Sequence, residues 1–173
     1  MHRTAGRTFL PWTLVLLAAI PAHAQQKPKE PVTLRHVLLE GWNDIGNKVV
    51  QLAENFPEEK YDFKPADGVR TFAETLRHIA FWNDWVTRTV RGEKVDGKPN
   101  ELPRAEYKTK AQIVGALTKT VAAGASQLQA GGEPGPEVAG QWMSFIAHSA
   151  EHYGQLVVYY RLNGLVPPAS RQP

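Results

Sequence analysis

From position 33 onward, apolar residues recur at alternating spacings of three and four, the pattern of helices that each bury one stripe. The first such stretch runs from about Thr33 to Phe56, with Leu38, Trp42, Ile45, Val49, Leu52 and Phe56 on one seam, and Pro57 stops it. The loop PEEKYDFKPADGV follows, with Pro65 and Asp67-Gly68 as turn chemistry. A second helix begins near Thr71, whose hydroxyl and Glu74 three residues on form a capping box, and carries Phe72, Leu76, Ile79, Val86 and Val90 to Gly92.

The third helix, about Thr109 to Gln129, shows Ile113, Leu117, Val121 and Leu128 behind a Thr109 cap. Gly115, Gly124 and several alanines give it the weakest propensity, although small residues also permit close packing. GGEPGP (131–136) breaks the chain, and a fourth helix runs from about Glu137 to Leu162, with Gly164 and Pro167-Pro168 ending it. No stretch reads as a strand. Four helices of roughly 20 residues, each about 30 Å long, predict an all-α four-helix bundle. The polar linker 92–107 between the second and third helices spans roughly 50 Å if extended, more than a helix length. A crossover leaving those two helices parallel is therefore allowed, though not required.

The first 24 residues have a different design. Arg3 and Arg7 precede an apolar run from Phe9 to Ile20, and Ala22-His23-Ala24 offers a small-x-small cleavage site before Gln25. That order predicts a secretory signal peptide and an exported protein, periplasmic or secreted, with no membrane attachment after cleavage. Residues 25–32 then read as a spacer, 33–168 as the folded domain and 169–173 as a loose tail. Of 20 Lys+Arg and 17 Asp+Glu, two arginines leave with the leader, so the mature chain is close to neutral. With no basic run, neither nucleic acid nor an anionic membrane is expected as a partner. The chain has no cysteine, so a metal would have to be held by nitrogen and oxygen.

One feature breaks the apolar pattern. The fourth seam reads Trp142, Phe145, Ser149, His152, Leu156, Tyr159, with His148 on the same stripe. His148 and His152 are one helical turn apart and can face one ion. In the second helix His78 shares a face with Trp82 and Trp85. Burying an unpaired polar group costs on the order of 1–3 kcal/mol, so three imidazoles in one bundle need hydrogen bonds or a cation. A three-nitrogen site with an open position suits metal-assisted chemistry rather than a closed structural site. His36 lies off the first seam and reads as solvent-facing. H-E-x-x-H is absent; HSAEH (148–152) does match H-x-x-E-H, but no Asp or Glu follows Glu151 to serve as that peptidase class's downstream ligand.

TFAETLRHIAFWN (71–83) and HSAEHYGQLVVYYRLNGLVPP (148–168) resemble the second-helix and closing motifs of the DinB-like (DinB/YfiT) metalloenzyme family, and NFPEEKYDFKPADGVRT resembles its first interhelical loop. The resemblance covers about 33–168. It implies a four-helix bundle holding one divalent metal, often nickel or zinc, on the positions matching His78, His148 and His152. Relatives are thiol-dependent S-transferases and isomerases, and others are described as hydrolases, so a small-molecule substrate is implied.

The reading is a metal-dependent enzyme of hydrolase or thiol S-transferase type. Its rivals are an exported metal or small-ligand carrier and a structural bundle whose histidines hydrogen-bond within the core. Candidate helpers are Glu151 and Gln155, with Tyr153 and Trp82. Glu151 could orient a histidine, although its register favours solvent; Gln155 follows His152 by three and reaches the site's edge. Trp82 and Trp85 could wall a pocket or pack in the core. Arg161 matches the family's arginine near the helix end, where a cation also suits the dipole. A homodimer is compatible with such a bundle.

Overall fold

The computed structural model describes residues 32–171; the expected signal peptide and most of the spacer lie outside the described residues. Four helices form the domain: α1 (Leu34–Asn55), α2 (Phe72–Thr89), α3 (Lys110–Ala130) and α4 (Pro136–Leu162). Two short 3-10 turns, Glu58–Lys60 and Pro168–Ser170, complete it, and there is no strand among the described residues. At α1, α2 and α3 a side chain satisfies orphan amides of the first turn, whereas α4 starts at Gly135 with Pro136 at its first position. The Thr33 hydroxyl accepts from His36 N–H, and Thr71/Glu74 and Thr109/Gln112 close as reciprocal capping boxes. Gly164, at φ +70°, takes the left-handed conformation just beyond α4.

Contacts fix the helix directions. Trp42 Nε1 donates to Val121 O at one level of α1, and Lys110 Nζ donates to Phe56 O beyond its far end, so α1 and α3 are antiparallel. Trp42 meets Trp142 edge-on, and Tyr160 Oη donates to Leu52 O, so α1 and α4 are parallel. Phe72 lies by Tyr159 and Trp82 by Phe145, so α2 and α4 are antiparallel. It follows that α2 and α3 run parallel, joined by the long crossover. Each of α1 and α2 packs on both α3 and α4, leaving α1 with α2 and α3 with α4 on the diagonals.

The crossover does more than span. Val95 O accepts from Trp85 Nε1, Asn100 Oδ1 from Trp82 Nε1, and Arg77 O from Leu102 N–H, so residues 95–102 run back along α2.

Two clusters make up the core. One gathers Phe56, Phe72, Tyr159 and Tyr160 with Leu52, Leu76 and Leu117; the other gathers Leu38, Trp42, Val86, Leu128 and Trp142. Along α4, His148, Ser149 and His152 fall between them. At the C-terminal end residues 168–170 form the second turn, and Arg171 Nη1 donates to Asn55 Oδ1 at 2.9 Å. An arginine in reach of the exposed end of α1 pins a stretch that has little apolar content of its own.

Candidate metal centre

The capping box at Thr71 sets the register of α2, and that register turns His78 toward α4. His78 is buried; His148 and His152 are half-buried at the margin of α4. One ring nitrogen from each lies within 4.8 Å of those of the other two. His78 Nε2 and His148 Nε2 are 3.0 Å apart.

Hydrogen-bond chemistry assigns two of the tautomers. His78 Nδ1 sits 2.5 Å from the Asn100 carbonyl oxygen, which can only accept, so Nδ1 carries the proton and Nε2 a lone pair. His152 is settled by a relay. Tyr159 Oη donates to Arg70 O at 2.7 Å, so its oxygen accepts from Gln155 Nε2 at 2.8 Å; Gln155 Oε1 then faces His152 Nδ1 at 2.9 Å and accepts its proton. His148 has no such anchor: its Nδ1 is buried without a partner, and the ring is held by the edges of Trp82 and Phe145.

Burial, with Arg70 and then His152 adding to it, lowers the His78 pKa to about 4, against the opposing bond to Asn100. Burial first, then His152 and His78, lowers His148 to about 3. Both are therefore neutral at pH 7, the state a metal requires.

The donor set fits a divalent ion. Metal–nitrogen bonds of about 2.0–2.1 Å place two ligands of one ion no more than about 4.2 Å apart. The Nε2 pair already satisfies this, and the third nitrogen needs only a sub-ångström approach. Two of the three imidazoles have Nδ1–H committed to fixed acceptors, the set-up in which an outer partner orients a metal ligand.

Of the helpers read from the sequence, Gln155 meets the site, as the partner of His152. Glu151 is exposed and forms no hydrogen bond or ion pair with the imidazoles, because its register turns it away from α2. Tyr153 packs half-buried against the aromatic core, and Arg161 is exposed at the end of α4. Trp82 and Trp85 are half-buried and, with Phe145, form a wall beside His148. His36 is exposed and pairs with Glu40 at 3.1 Å.

Asn100 is the residue that sequence reasoning missed. Its φ of 60° is the left-handed conformation Asn tolerates better than most residues. From there its carbonyl reaches His78 while its amide oxygen holds Trp82. Pro99-Asn100 signalled a turn, but nothing in the linker's composition signalled what the turn touches. A cleft of about 590 Å³, lined by Lys64, Gly68, Val69, Arg70, Glu74 and Gln155, adjoins the site through Gln155.

Fold and site together define a four-helix bundle in which one groove between antiparallel helices carries three convergent histidines. The family model described as the DinB superfamily matches residues 44–156, more than half of the chain and a span that includes all three. The chain belongs to the DinB superfamily.

Proposed function

We propose that the chain is a metal-dependent enzyme acting on a small molecule, with His78, His148 and His152 holding one divalent ion, nickel or zinc, each through Nε2. The observation that carries the reading is the commitment of Nδ1 in His78 and His152 to fixed acceptors, which leaves their Nε2 atoms free for an ion, that of His78 3.0 Å from His148 Nε2. An ion there supplies Lewis acidity and lowers the pKa of a nucleophile held beside it. Around it, Gln155 keeps His152 in one tautomer and Asn100 does the same for His78. Trp82, Trp85 and Phe145 shield one side from water. Lys64 and Arg70, lining the adjoining cleft, favour a substrate with an acidic group. The reaction is hydrolysis or thiol S-transfer. Export to the periplasm or beyond belongs to the proposal and is supported by the residue order of 1–24; near-neutral charge argues against nucleic acid as a partner.

Elemental analysis of the purified protein tests the reading. About one equivalent of a transition metal is expected in the wild type and none in His78→Ala, His148→Ala or His152→Ala, each with unchanged helical circular dichroism. Wild-type metal content in all three variants, or no uptake by the wild type after incubation with nickel or zinc, would overturn it. Bound, freely exchangeable metal without turnover of hydrolase or thiol-transfer substrates would instead indicate a carrier.

A further inference from the structure

We propose a second site, separate from the histidines: a pocket on the flank of α2 that binds the carboxylate or phosphoryl group of a metabolite-sized ligand on Arg77. The pocket has a volume of about 520 Å³, and none of its lining residues lines the cleft beside Gln155. Its floor is Tyr61, Ala73 and Arg77, all buried, and Arg77 is only 3% exposed.

Arg77 is the residue that calls for a ligand. A guanidinium keeps its charge at any physiological pH and presents five N–H donors. Here Nε has no hydrogen-bond partner. The nearest carboxylate, Glu101, stands 3.7 Å from Nη2, beyond hydrogen-bond length, and is shared with Arg70 at 3.9 Å. Taking such a charge out of water is costly unless an anion meets it with good geometry.

The pocket's own carboxylates are already engaged. Asp62 pairs with Arg104 at 3.3 Å, and Glu58 Oε1 accepts from Lys110 N–H at 3.2 Å. Lys110 Nζ donates to Phe56 O. Lys108, on the rim, forms no ion pair among the described residues. What remains is one buried guanidinium, met only by Glu101 at 3.7 Å and with Nε unpartnered, in a pocket that one exposed ammonium also lines. Planar or tetrahedral oxyanions match the guanidinium fork and accept two parallel bonds from it.

The site is independent of the metal reading, and its test needs no metal. Thermal melts of the purified protein are titrated with inorganic phosphate and, separately, with malonate, at ionic strength matched by sodium chloride. A saturable rise in Tm is expected with one or both, and the stronger of the two identifies a phosphoryl or a carboxylate ligand. Arg77→Gln should weaken the apparent Kd by about tenfold or more, the loss of a charge-assisted pair. Lys108→Ala should weaken it by a smaller factor, and His148→Ala should leave it unchanged. No saturable response to either anion in the wild type overturns the proposal, as does an unchanged apparent Kd in folded Arg77→Gln. If that variant does not fold, Lys108→Ala and Arg104→Ala decide, and an unchanged Kd in both overturns it.

Discussion

Between α1 and α3 the helices approach through glycine. A Cβ added at Gly46 would meet Val121 Cγ1 at 2.7 Å, and one at Gly124 would fall inside the Trp42 indole, 2.8 Å from its Nε1. That ring fills the space, and its N–H donates to Val121 O at 2.9 Å, so the indole's one polar group is satisfied. Between α2 and α4 the approach is filled by imidazoles instead, with a buried Nδ1 left unpaired on His148 and the crossover segment supplying the hydrogen bonds that the helices cannot. One side of the bundle is optimised for packing. The other gives up packing for donors held in place, as binding sites commonly do.

The largest expected effect falls on the histidine side. His78 and His148 have folded pKa values of about 4 and about 3, against the 6.5 of an ordinary histidine. Below pH 6.5 the unfolded chain takes up protons that the folded chain refuses, so stability of the metal-free protein falls as pH drops and levels off below the folded values. Above pH 6.5 these groups contribute no slope. Two groups shifted this far amount to a few kcal/mol, so circular-dichroism melts between pH 7.5 and 4.5 should show a clear loss of Tm. The double variant His78→Gln/His148→Gln should flatten that slope; an equal slope would place the acid sensitivity elsewhere.

Next in size is the relay below His152. Gln155→Leu keeps the volume but removes the acceptor of the Nδ1 proton and the donor to Tyr159. Losing such an outer partner typically costs 10–100-fold in metal affinity. Competition titration with a chelator should find that loss with an unchanged Tm of the metal-free protein. A fall in Tm with unchanged affinity would make Gln155 a packing residue only.

The packing side is sharpened by two glycines of the same helix. Gly124→Ala pushes a methyl into Trp42, and overpacking costs about 1–3 kcal/mol, of which up to about 1 is recovered as helix propensity. Gly115 has nothing within 4 Å of an added Cβ, so Gly115→Ala keeps the propensity gain alone. Urea melts should therefore move in opposite directions for two identical substitutions in α3. Movement in the same direction would mean that Trp42 has room to shift.

Those two glycines also mark the limit of what is legible in the amino-acid sequence. Seams, caps and breaks are readable because each rests on residues close in sequence: Thr71 with Glu74, Thr109 with Gln112, and the polar gap at Ser149 and His152. The glycines of α3 are legible as weak propensity, whereas the packing role of Gly124 depends on Trp42, 82 positions away. The parallel arrangement of α2 and α3 is open in the sequence because a linker of sufficient length permits more than one path. Arg77, next to His78, looks like an ordinary charged residue of a helix face; its burial depends on the crossover folding back over α2. Asn100 is hidden for the same reason.

The smallest expected effect isolates what that crossover contributes. Asn100→Gly retains the carbonyl that accepts from His78 and readily adopts φ 60°, so the only loss is the Trp82 Nε1 bond to Oδ1. Metal affinity should change by no more than a few-fold, while Trp82 becomes less ordered and its fluorescence shifts to the red. Asn100→Val demands the same φ from a β-branched side chain, which strongly resists it, so the turn should move and carry the carbonyl away from His78. A larger affinity loss for Val than for Gly would assign the effect to backbone placement. Equal losses would assign it to the Trp82 bond, and the crossover would then serve the aromatic wall rather than the ligand.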